Sequence, residues 1–134
     1  MTIILTSCSS KKELDFYLNK IDIKLNDNYK VLSNESSLSI GDNLVNFKIQ
    51  ISDNDYLNLI RHFENVNGFQ IVQTNQTPID NFKGPNPNLK KTAWTRDGVY
   101  IYQVIAQDTI GSGYESFSIY LNKDKTLDFS YADE

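Results

Sequence analysis

Thr92-Ala93-Trp94-Thr95-Arg96-Asp97-Gly98-Val99-Tyr100-Ile101-Tyr102-Gln103-Val104-Ile105 is the stretch that decides the fold. Two runs rich in aromatic and β-branched residues meet across Arg96-Asp97-Gly98, where Asp-Gly supplies the positive φ angles of a tight hairpin. Downstream, Gly111-Ser112-Gly113 turns the chain again, and Ser116 to Leu121 alternates with Phe117, Ile119 and Leu121 on one side. Asn122-Lys123-Asp124-Lys125 is a further turn, after which Leu127, Phe129 and Tyr131 alternate inward from Thr126 to Tyr131. Strands at this spacing, separated by turn chemistry, predict a three- or four-stranded antiparallel meander.

Upstream of the hairpin, Thr74 to Lys91 is polar and broken by Pro78, Pro85 and Pro87, so it reads as a long loop. Before it, Ser52-Asp53-Asn54-Asp55 offers a hydroxyl N-cap and acidic residues in a first helical turn. Tyr56, Leu59, Ile60 and Phe63 follow at helical spacing, which predicts an amphipathic helix over about 53–64 with Gly68 closing the unit. Leu44 to Ile51 alternates with Val45, Phe47, Ile49 and Ile51 on one face, the pattern of a half-buried strand. Tyr29 to Ser33 reads as another strand, Asn34-Glu35-Ser36-Ser37 as a polar turn, and Leu38 to Asn43 as the return. Leu14, Tyr17, Leu18 and Ile21 mark a short helix at about 11–20. The fold class expected is α+β. A single domain over 11–134 would have an antiparallel sheet, a C-terminal meander and one or two helices packed on it. Phe47, Ile49, Leu59, Phe63, Ile119 and Phe129 belong to its core.

At 134 residues the chain is long enough for one core, and 40% apolar with 22% charged residues is a folding composition. Thirteen Lys and Arg against seventeen Asp and Glu leave a net charge of −4, with no basic excess to neutralise phosphates, so nucleic acid is not expected as a partner. A single Cys and a single His cannot build a Cys- and His-rich zinc site. No apolar run approaches the ~20 residues of a membrane-spanning helix.

The first ten residues, Met1-Thr2-Ile3-Ile4-Leu5-Thr6-Ser7-Cys8-Ser9-Ser10, end a short apolar run in small residues and the only Cys, ahead of the polar Lys11-Lys12-Glu13. Leu5-Thr6-Ser7-Cys8 resembles the lipobox of bacterial lipoproteins, a Leu three places before the Cys followed by two small residues. The resemblance covers positions 1–10 and implies that Cys8 becomes the lipidated N-terminal residue after cleavage, anchoring the domain in the cell envelope through acyl chains. It departs from a complete signal, since only Ile3-Ile4-Leu5 represent the apolar stretch and no Lys or Arg precedes them. The expectation is that the true start lies upstream, that 1–10 is the remnant of signal and anchor site, and that a small polar tether follows the Cys.

Catalytic chemistry is sparse. His62 lies off the apolar stripe of its helix near the C-terminal end and has no visible partner, so it reads as a surface residue. Gly111-Ser112-Gly113 is a hairpin loop rather than a nucleophile elbow, and Asp53-x-Asp55 lacks the other ligands and the Gly of a calcium loop. No cofactor is implied and no enzymatic activity is expected. If Phe117, Ile119 and Leu121 face the core, Tyr120 faces the other side, where Tyr100 and Tyr102 would join it as a tyrosine stripe suited to a protein partner. Tyr is also simply a good strand residue, and Val104 and Ala106 share the parity of Tyr100 and Tyr102. The expected role is thus a small lipid-anchored envelope protein that acts by binding. The alternatives are a cytosolic immunity-type inhibitor of a partner protein and a small hydrolase with a carboxylate site assembled in space.

Overall fold

A computed structural model describes residues 2–39, 42–78, 89–107 and 113–133, with side chains described outside 2–9, 36–39 and 42–43. The chain runs α1 (Thr2–Lys20), β1 (Lys30–Ser39), β2 (Asp42–Gln50), α2 (Asp53–Glu64), β3 (Gln70–Ile71), β4 (Leu89–Arg96), β5 (Val99–Gln107), β6 (Tyr114–Leu121) and β7 (Thr126–Asp133). The strands form one sheet in the order β1-β2-β7-β6-β5-β4-β3, antiparallel except for the short parallel pair of β3 with β4. This is an α+β domain with a C-terminal strand meander.

The hairpin that decides the fold closes as its sequence demands. Asp97 at φ 55° and Gly98 at φ 80° occupy the two turn positions, and Arg96 pairs with Val99. The β6–β7 turn also needs one left-handed residue, Lys125 at φ 64°, and Asp124 steadies it by accepting from the Thr126 N–H and hydroxyl at 3.1 and 2.6 Å. The Gly111-Ser112 part of the predicted β5–β6 turn lies outside the described residues, as do 79–88 of the predicted long loop.

Both helices lie on one face of the sheet. Leu14, Leu18 and Ile21 from α1 and its end join Leu59 and Phe63 from α2 over Val45, Phe47, Ile49, Tyr102, Val104, Phe117, Ile119, Leu121, Leu127, Phe129 and Tyr131. The α2 helix begins where its cap predicts. Ser52 Oγ accepts from the Asp55 N–H at 3.0 Å, while Arg61 and His62 occupy the last turn. It ends at Glu64, four residues before Gly68, whose φ of 85° serves the turn that follows. α1 ends on a Schellman arrangement without glycine. Asp22 takes the left-handed position at φ 59°, and Ile23 N–H and Asp22 N–H reach back to the carbonyls of Leu18 and Asn19 at 3.0 and 3.3 Å.

Two sequence expectations change. The polar turn expected at 34–37 is strand: β1 continues to Ser39, with Asn34 opposite Phe47 and Ser36 opposite Val45. β1 is the sheet edge, where polar residues are tolerated without a turn: Asn34 and Glu35 are both exposed, Asn34 on the helix side and Glu35 on the opposite one. Helix α1 does not start at 11 but runs unbroken from Thr2, so the residues directly after Cys8 are helical rather than a tether. Ser10 is buried and its Oγ accepts from Asn34 Nδ2 at 2.9 Å, tying the helix to β1. No Pro or Gly interrupts 2–20, and Leu14 and Leu18 anchor the helix in the core, so its backbone has no reason to stop at 11.

Candidate binding face and anchor site

Antiparallel partners share a face of a sheet, so the register sorts the side chains into two sets. On the helix-covered side one row reads Ala93, Tyr102, Ile119, Phe129, Phe47. On the other side the neighbouring row reads Gln70, Trp94, Ile101, Tyr120, Asp128, Lys48 and Ser33 across all seven strands. Beside it runs the fully polar row Thr92, Gln103, Ser118, Ser130, Asn46 and Glu35. No described helix covers this second face.

Its apolar part is concentrated at one end. Ile101 is buried between Trp94 and Tyr120, while Tyr120 is 43% and Ile105 39% exposed. Gln70, Pro78, Lys90, Thr92, Trp94, Gln103 and Ile105 line a shallow groove of about 210 Å³ there. The Trp94 indole Nε1 is buried without a hydrogen-bond partner, an arrangement that costs on the order of 1–3 kcal/mol. At the other end the face is polar and internally satisfied: Ser130 Oγ donates to Asn46 Oδ1 at 2.7 Å, and Asn122 Nδ2 donates to Asp128 Oδ2 at 2.9 Å.

The tyrosine stripe expected from sequence is corrected. Tyr120 does face away from the helices, but Tyr102 is 1% exposed and stacks on Phe63 at 5.0 Å in the core. Tyr100 is on the same covered side, stacked on Phe69 at 6.2 Å. The reason is register. Tyr120 stands opposite Ile101, so the even-numbered residues of β5 face the helices. A one-residue difference in the β5–β6 connection reverses that assignment, and the turn residues alone do not fix it. Trp94, Ile101 and Ile105 are the members of the open face that the sequence reading did not single out. Part of the signal was present: a two-residue Asp-Gly turn sets Trp94 opposite Ile101 by counting outward from Arg96 and Val99.

The titratable groups carry structural duties. Asp55 is buried and its carboxylate accepts the Asn26 and Asp27 N–H groups, both at 2.9 Å, pinning the loop after α1 to the start of α2. Asp53 is exposed and pairs with Lys125 at 2.7 Å. His62 is exposed, with its ring edge-on to Tyr102 at 5.7 Å; partial burial and the Lys91 charge hold its pKa below the usual value. A larger hollow of about 570 Å³ lies by Lys20, Glu115, Tyr131 and Asp133. There Glu115 Oε2 already accepts from the Tyr131 hydroxyl at 2.6 Å and lies 3.5 Å from Lys20 Nζ. Burial and that carboxylate raise the Tyr131 phenol pKa. Among the described residues no group of three His, Cys, Asp or Glu is placed to hold a metal, and no helix is long and apolar enough to cross a membrane. The backbone at Cys8 is helical, within α1.

No family model matches the chain, and no curated protein or solved structure matches it.

Proposed function

We propose that this chain is a small cell-envelope lipoprotein that acts by binding a partner protein rather than by catalysis. The observation that carries the reading is Leu5-Thr6-Ser7-Cys8, the lipobox-like end of an apolar run containing the only Cys of the sequence. Acyl chains on Cys8 would hold the domain at a membrane without a spanning helix, each buried methylene contributing ~0.8 kcal/mol. Binding is supported by the Trp94–Ile101–Tyr120 row, because aromatic and aliphatic side chains concentrated on an otherwise polar face are the composition of an interface core. The test is to express the gene together with its upstream region and feed a fatty-acid analogue. Incorporation into the protein that disappears in Cys8→Ser is expected; incorporation that persists in Cys8→Ser sinks the anchor assignment.

A second reading is favoured by one observation. Ser10 is packed and hydrogen-bonded to Asn34, and the backbone of α1 continues upstream of it, which suits an ordinary helix of a cytosolic immunity-type inhibitor as well as it suits an anchor. The same labelling separates the two. A chain that takes up no fatty acid while remaining folded and soluble favours the inhibitor.

A further inference from the structure

We infer that the lipidated protein, which rests on the lipoprotein reading above, has no flexible spacer and turns the β1 edge of its sheet toward the lipid headgroups. The argument starts with the path of α1. Ser10 touches Asn34 on β1, Tyr17 stacks at 4.7 Å on Tyr131 of β7, and Lys20 lies 3.5 Å from Glu115 of β6. Ten helical residues rise ~15 Å. In the order β1-β2-β7-β6 the first and last strands are three spacings apart, also roughly 14–15 Å. Glu115 also lies four residues along β6 from Ile119, which shares the row of Asn34, so the helix axis crosses the strands obliquely, with its N-terminal end pointing outward over the edge strand.

Cys8 precedes Ser10 by two residues, ~3 Å along that axis. Ser10 is 5% exposed and fixed by Asn34. A chain anchored at Cys8 thus enters its packed core after a single intervening residue, and the acyl chains leave the domain at β1. The orientation has a second consequence. β1 is a ten-residue edge strand with Leu32 exposed at a bulge, an open template for unwanted strand pairing. The bilayer surface would shield it. Charge contributes little to this apposition, since along 10–15 of α1 and the described side chains of β1 three cations, Lys11, Lys12 and Lys30, are matched by Glu13, Asp15 and Glu35. The orientation should accordingly survive high salt. The far edge, β3, stands six strand spacings away, roughly 29 Å, which carries the Trp94 groove well clear of the headgroups and leaves it open to a partner from the side.

The test uses the lipidated chain in vesicles of phosphatidylcholine doped with a nickel-chelating lipid. A nitroxide is placed on Leu32→Cys at the β1 edge or on Ile71→Cys in β3, where the native side chain is 83% exposed and substitution should not disturb folding. Relaxation of the Leu32→Cys label by the headgroup nickel is expected to exceed that of the Ile71→Cys label several-fold, and a flexible Gly-Ser linker inserted between Ser9 and Ser10 should erase the difference. Equal relaxation at both sites in a protein that carries fatty acid overturns the inference and leaves the lipoprotein reading standing. Absence of fatty acid from the chain overturns both.

Discussion

The two faces of the sheet are made from alternate residues of the same strands, and they are unlike. Phe47, Phe129, Ile119 and Tyr102 form a continuous apolar row under the helices, whereas Asn46, Ser130, Ser118 and Gln103, one step along each strand, form a polar one. A second layer packed on the open face would have to bury that row of hydroxyls and amides, at a cost for each one left unpaired. Among the described residues the domain is therefore a single sheet with one helical layer. Trp94, Ile101 and Tyr120 depart from the polar pattern of the open face, and that departure is what marks them for binding.

The largest effect that would break this comparison is on the covered side. Phe129→Ala should cost ~3–5 kcal/mol, because the ring is buried against Phe47 and Tyr17, while Tyr120→Ala on the facing side of the neighbouring strand should cost under ~1 kcal/mol. Urea midpoints of the two variants measure it; equal losses would mean that the open face is a second core.

Next comes the clasp that holds the helical layer in place. Asp55→Ala leaves the Asn26 and Asp27 N–H groups without their carboxylate, and a loss of ~2–3 kcal/mol is expected from chemical denaturation. Asp55→Asn retains one side-chain carbonyl and should lose less.

The covered face should also reveal itself in alkali. Burial, aided by the Asp22 charge, pushes the Tyr102 phenol up to about 12, and burial with hydrogen bonds to carboxylates raises Tyr29 and Tyr131 as well. An unfolded phenol ionises near 10. Above that pH the folded chain keeps protons that the unfolded chain has lost, so stability falls as pH rises from about 10 to 12. Urea midpoints at pH 8 and pH 11 should show the fall, and Tyr102→Phe should make it shallower.

The smallest expected change is Trp94→Phe. It removes a buried N–H that has no acceptor while giving up part of the ring's contact area, two effects of opposite sign that should leave stability within about 1 kcal/mol of the parent. Thermal unfolding of the pair checks this, and a loss as large as that of Phe129→Ala would make Trp94 a core residue instead of a surface one.

The elements legible in the sequence were those with a local cause. Asp97-Gly98, the Ser52 cap and the alternation of Val45, Phe47 and Ile49 each declare themselves within a few residues, and the core set from Phe47 to Phe129 follows from them. What escaped depends on distant partners. The turn misplaced at 34–37 arose because β1, as an edge strand, tolerates the Asn34-Glu35-Ser36-Ser37 run that elsewhere would mark a turn. The facing of Tyr102 depends on the registry of β5 with β6, which no single strand encodes. Asp55 reads in sequence as a helix-start carboxylate, but its buried contacts with Asn26 and Asp27 join segments 28 to 29 residues apart and leave no local spacing.

The claim that the open face is the working surface is tested most directly by site-specific photocrosslinking in the cells that make the protein. A benzoylphenylalanine replaces Tyr120 on the open face or Leu57, 53% exposed on α2, on the helical side. The expected result is a discrete protein adduct from position 120 and none from position 57. The same adduct from both positions, or an adduct from position 57 alone, would contradict the account.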